Sequence, residues 1–109
     1  MIGLLMMLAT TSNYTVYQSG NELYARCQMQ DQTSCLAYII GVQDALADLA
    51  SANITQPLFC APVGATAEQL KDVAVLYLRN NPAARAQGAG GLVAAAFMEA
   101  FPCPAKPAG

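Results

Sequence analysis

The chain has 109 residues, which is room for one domain and one modest core. Apolar residues make up 55% of it but aromatics only 7%, with no Trp, so the apolar content is mainly Ala, Leu and Val and suits closely packed helices rather than a sheet sandwich. With five Lys/Arg against seven Asp/Glu, no basic run and no His, neither nucleic-acid binding nor polybasic membrane attachment is supported, and the commonest general base and neutral metal ligand are missing.

Met1 to Ala9 (MIGLLMMLA) is an apolar run followed by Thr10, Thr11 and Ser12. A bilayer span needs about 20 apolar residues, so no stable membrane insertion is expected. The run has the length of a signal h-region but lacks a basic n-region and an A-x-A cleavage site. Residues 1–18 are read as a signal remnant or flexible N-terminal segment, against the alternative of a buried N-terminal segment of the mature fold.

The first helix is expected to open at Ser19-x-x-Glu22, a capping-box pattern, and to run through Leu23 and Cys27 to about Met29. After a polar turn, Thr33 or Ser34 is expected to cap the second helix. Its apolar positions Cys35, Tyr38, Ile39, Val42, Leu46 and Leu49 recur at three- and four-residue steps, and Gln43, Asp44 and Asp48 lie on its other face. Gly41, in mid-helix, is expected to permit close helix packing.

Residues 51–64 (SANITQPLFCAPVG) contain two prolines and a glycine and read as a loop anchored by Ile54, Leu58 and Phe59. A second capping box, Thr66-x-x-Gln69, opens the third helix, whose stripe is Leu70, Val73, Ala74, Tyr77 and Leu78. Asn80-Asn81-Pro82 stops it. The fourth helix is expected to begin near Pro82, to bury Leu92, Val93, Ala96, Phe97 and Ala100, and to end at Pro102. Gly88, Gly90 and Gly91 imply either a frayed first turn or close contact with another helix. Residues 104–109 read as a disordered tail. The fold class is therefore all-α: a compact bundle of four main helices over residues 19–103.

A fold this small buries roughly 60–65% of the surface its unfolded chain exposes, so staples matter. Cys27, Cys35, Cys60 and Cys103 form an even set and point to two disulfides. The closest spacing is C-x7-C with no His, which does not suit zinc, and no metal or other cofactor is expected. Three pairings are open. Cys27–Cys35 with Cys60–Cys103 is preferred, because it ties one helix to the next and a loop to the C-terminal segment. Loop-closure entropy values these bonds at roughly 2.5 and 4 kcal/mol.

No nucleophile has a base, and the carboxylates are scattered, so catalysis is not expected. A binding surface is sought instead on the loop next to Cys60, where Asn53, Thr55 and Gln56 are candidates, since a covalently braced loop loses little entropy on binding. The stretch from Asn80 to Gln87, with Arg79 and Arg85, is the second candidate. Asp44 is either a partner contact or a structural acceptor for loop amides. Tyr38 and Tyr77 read as core residues with a hydroxyl at the boundary.

Taken in order, Leu23-x3-Cys27, Cys35-x2-Tyr38-x2-Gly41-x2-Asp44, Cys60-x-Pro62, Gln69-x3-Val73-x3-Tyr77-Leu78-x3-Pro82, Ala95/Ala96 and Phe101-Pro102-Cys103 resemble the Rap1a/Tai family of type VI secretion immunity proteins. The resemblance covers about Asn21 to Cys103. It implies a periplasmic, disulfide-bonded helical protein that binds a secreted peptidoglycan amidase toxin and occludes its active site, and it extends to this chain the homodimer common in that family. A small helical periplasmic chaperone or stress-response protein, binding unfolded clients, is the alternative. A helical carrier of lipids or small ligands is a third class, which the Ala-rich core does not favour.

Overall fold

The computed structural model describes residues 14–105. Four α-helices follow in order: α1 (Gly20–Cys27), α2 (Thr33–Ser51), α3 (Ala67–Asn80) and α4 (Ala89–Ala100), with a short 3-10 helix at Pro82–Ala86. The described residues contain no strand; a single antiparallel bridge joins Ser19 to Gly88. The expectations for residues 1–13 and 106–109 lie outside the described residues.

Both capping boxes form. The Ser19 hydroxyl accepts from the Glu22 amide at 3.1 Å, and the Glu22 carboxylate accepts from the Ser19 amide at 2.9 Å. Thr66 and Gln69 repeat the exchange at the start of α3, at 3.1 and 2.8 Å. Each pair satisfies two backbone donors that a helix start otherwise leaves without partners. The Ser19 hydrogen bonds, backbone first, hold the Glu22 carboxyl below its usual range.

α2 departs from the expected start. Thr33 is its first residue, and the acceptor at this end is Asp31, whose Oδ1 takes bonds from the Thr33 amide (3.0 Å) and hydroxyl (2.7 Å). These bonds, the hydroxyl first, lower the Asp31 pKa. The cap residue Gln32 reaches sideways instead. Its Nε2 donates to the Cys27 carbonyl at 3.0 Å and its Oε1 accepts from Lys71 at 2.6 Å. Lys71 also pairs with Glu68 at 2.9 Å. One amide thus links the end of α1 to α3 through the turn between α1 and α2.

α4 begins at Ala89 rather than near Pro82. The reason lies in its neighbours: the Ala89 amide donates to Gln18 O and the Gly20 amide to Gln87 O, both at 2.8 Å, which pulls the backbone on either side of Gly88 into the bridge with Ser19. Pro82 does open a helix, but it is the 3-10 helix. A Cβ on Gly88 would lie 2.9 Å from Val16 Cγ1, so the close contact expected of this glycine is with the segment preceding α1.

The core is formed by Leu23, Cys27, Cys35, Ile39, Leu70, Ala74, Leu78, Ala89, Leu92, Val93, Ala96 and Phe97, drawn from all four helices, and among the described residues no polar or charged one is buried. Phe97 is fully buried at its centre, with Phe59 and Phe101 tilted against it at ring separations of 5.1 and 6.2 Å. Burying one such ring contributes about 2–3 kcal/mol. Ala100, expected to face the core, is exposed. Tyr38 and Tyr77 are half-buried against the core.

The disulfides are Cys27–Cys35 and Cys60–Cys103, the preferred pairing. Gly41 corrects an expectation: it is exposed, and a Cβ built there meets no atom within 4 Å. No helix among the described residues is long and apolar enough to cross a membrane.

Candidate partner-binding surface

The loop after α2 starts from a helix end with defined geometry. Asn53 adopts φ 60, its amide donates to Ala50 O at 3.0 Å, and the next amide, Ile54, donates back to Leu49 O at 2.9 Å. This pair of bonds is the Schellman arrangement, usually completed by Gly and sometimes by Asn. Asn53, a candidate for partner contact, is therefore first of all the residue that ends α2 and sets the direction of the loop.

Beyond it the loop is braced on one side and bare on the other. Phe59 packs on Phe97, the Cys60 amide donates to Phe101 O at 2.8 Å, and the disulfide to Cys103 holds the same point. The Ala65 amide closes a turn onto Pro62 O at 3.1 Å. Ile54 and Leu58, expected to anchor the loop, are instead 69% and 44% exposed, and Val63 is wholly exposed. Only Phe59 anchors. Thr55 and Gln56 stand exposed between Ile54 and Pro57, and neither side chain makes a hydrogen bond among the described residues.

Between this loop and the second half of α2 runs an open groove of about 260 Å³, walled by Gln43, Leu46, Ala47 and Ala50 on the helix and by residues 57–61 on the loop. α2 explains its presence. Of its nineteen residues only Cys35 and Ile39 are buried, so Leu46 and Leu49, expected in the core, are half-buried. Gln43 Oε1 is buried with no donor among the described residues. Asp44 is exposed beside the groove and accepts no hydrogen bond there, so the structural-acceptor reading does not hold.

The second candidate region lies on other elements. Arg79 is exposed in the last turn of α3, and it is not among the residues that line the groove of about 200 Å³ formed by Leu76, Tyr77, Asn80 and Glu99. Arg85 belongs to the 3-10 helix and is half-buried, with its guanidinium carbon 4.3 Å from the Tyr24 ring centre. The six candidates therefore do not form one surface. Asn53, Thr55, Gln56 and Asp44 belong to the loop and α2, Arg79 stands exposed at the end of α3, and Arg85 is occupied inside the fold. The roles of Gln32, Gln43 and Tyr24 carry no local sequence signal, because each depends on residues far away in the chain.

All four cysteines are in disulfides, and no His/Cys/Asp/Glu cluster among the described residues could hold a metal. What the fold presents is a doubly stapled helical scaffold with a braced, partly apolar surface loop. The profile of the Rap1a immunity proteins matches residues 19–103, and the chain belongs to that family. The family implies a role in toxin immunity, with a toxin as the partner. No curated protein and no solved structure gives a match.

Proposed function

We propose that the chain is a periplasmic immunity protein that binds a type VI secreted peptidoglycan amidase and inhibits it by covering its catalytic cleft. The observation that carries the reading is the family match over residues 19–103, which contains all four helices and both disulfides. Two disulfides in so short a chain agree with an oxidising compartment such as the periplasm. The inserting element in this reading is the loop with Thr55 and Gln56 at its exposed turn. Its disulfide and helix cap restrict it before it binds, which lowers the entropy cost of association. Self-association into a homodimer belongs to the same reading and is checked by light scattering.

The client-binding chaperone is less well supported. An acid-triggered chaperone needs carboxylates whose protonation opens the core, whereas the buried residues here include none. The test is to read the genes flanking this chain's gene and to export a hydrolase found there to the periplasm of a sensitive host, with and without this protein. Rescue of growth, with nanomolar or tighter binding of that hydrolase in calorimetry, is expected. Lysis that this protein does not relieve, with no measurable binding, would sink the reading.

A further inference from the structure

We propose that the groove between the second half of α2 and residues 57–61 docks a segment of the protein partner in which an apolar side chain is flanked by lysine or arginine. This rests on the reading of the chain as a protein-binding module and adds the chemistry of what it binds. The groove supplies the apolar half of the recognition: Leu46, Ala47, Leu58 and Phe59 line it, and Leu58 is 44% exposed for want of a cover.

The charge around it supplies the other half. No basic residue occurs between Arg26 and Lys71, a stretch that contains all of α2 and the whole loop. Asp44 and Asp48 are both exposed and have no ion-pair partner among the described residues. They lie one turn apart, four residues from each other, and Asp44 is in turn a surface neighbour of Ala47, three residues on, since positions three and four apart on a helix stand side by side. Ala47 is also part of the groove wall, so a cation reaching over its methyl group from the groove meets the Asp44 carboxylate, with Asp48 one turn further along the same face.

Asp48 adds a separate indication. It sits in the last turn of α2, where no basic residue is present and where the negative end of the helix dipole disfavours a carboxylate. A cation from a partner relieves that repulsion. Gln43 lines the same groove while its Oε1 is buried without a donor, and a side-chain rotation that turns the oxygen into the groove lets an N–H of the bound segment satisfy it.

The experiment is an amide-resolved NMR titration of the full chain with two capped peptides, acetyl-Gly-Lys-Leu-Lys-Gly-amide and its acetyl-Gly-Glu-Leu-Glu-Gly-amide counterpart. The lysine peptide is expected to shift amides of Leu46, Ala47, Ala50, Leu58 and Ala61. The glutamate peptide should bind roughly three- to tenfold more weakly, the effect of two exposed ion pairs. About 0.5 M salt should erase that difference, and so should the double substitution Asp44→Asn with Asp48→Asn, whose helicity is checked by circular dichroism. Equal shifts from both peptides, shifts centred on α3 and α4, or no shift from either would overturn the assignment. Because no toxin takes part, failure here with intact rescue of the host removes the groove and leaves the immunity reading standing. Peptide binding without rescue does the reverse.

Discussion

The Arg85 guanidinium carbon lies 4.3 Å from the centre of the Tyr24 ring, which joins the 3-10 helix to α1 through a cation–π contact. The contact takes up an arginine that the sequence alone offers as a hydrogen-bonding group for a partner. A double-mutant cycle with Tyr24→Leu and Arg85→Met should show a coupling of about 0.5–1 kcal/mol in urea unfolding. Arg79→Ala, at an exposed site, should leave stability within about 0.5 kcal/mol of the parent.

Asn53 separates a structural role from a recognition role. Replacing it with Gly should leave stability unchanged or slightly higher, because Gly accepts the positive φ without a Cβ penalty. Asn53→Ala should cost about 1 kcal/mol, the strain of a left-handed residue bearing a Cβ. If the side chain also contacts the toxin, both variants weaken binding alike. If it only turns the chain, Asn53→Gly binds as the parent does, and calorimetry distinguishes the two.

The glycines give opposite outcomes. Gly41→Ala should stabilise the protein by about 0.5–1 kcal/mol, since the new methyl meets nothing and mid-helix entropy is reduced. Gly20→Ala should destabilise by about 1–3 kcal/mol, because its Cβ would overlap Leu92 Cδ1 and lie 2.9 Å from Arg85 O. Denaturant midpoints measured side by side check both signs.

The two disulfides should not reduce together. Cys27 and Cys35 are buried, whereas Cys60 is exposed. Under rising dithiothreitol, alkylation and mass spectrometry should find Cys60 and Cys103 modified first, with the helical circular dichroism largely retained at that stage. Removing this bond by Cys60→Ser with Cys103→Ser should lower stability by roughly 4 kcal/mol in the loop-closure estimate. Simultaneous modification of all four cysteines would contradict this order.

Acid should act on the helix starts rather than on the core. The Glu22 and Asp31 carboxyls are held below their usual 4.5 and 3.8 by hydrogen bonds to Ser19 and Thr33. A depressed carboxylate stabilises the fold above its ordinary value, and that contribution is lost as pH falls through the lower folded-state value. Thermal midpoints should therefore decline below about pH 4.5, and more shallowly in Glu22→Gln. Lys71 has the opposite sign. Its hydrogen bond to Glu68 raises its pKa above 10.5, so its contribution is complete below that pH and is lost at higher pH.

Much of the fold is legible locally. Ser19–Glu22 and Thr66–Gln69 are capping boxes because the bonding residues are three apart, and the pairing of the cysteines follows the same short-range logic in Cys27–Cys35. What is not legible depends on partners far away in the chain. The start of α4 is decided by Gln18 and Ser19, some seventy positions earlier in the chain, and periodicity near Pro82 contains no trace of them. Gly41 fits the pattern of a packing glycine and yet faces solvent, because two residues on from the buried Ile39 it falls on the opposite face of α2. Of the binding candidates, Thr55 and Gln56 fall where loop composition places them. Arg85 does not, since only tertiary structure brings it onto Tyr24.

In mechanical terms α2 is a beam clamped at both ends. Cys35 fixes its near end to α1, and the loop bonded to Cys103 fixes its far end, while no residue between Ile39 and Ser51 is fully buried. A partner that presses on this span meets a half-buried helix face whose displacement is limited by two covalent supports. Release the outer support and the beam becomes a cantilever, free to swing the loop away from the bundle while its root stays in place.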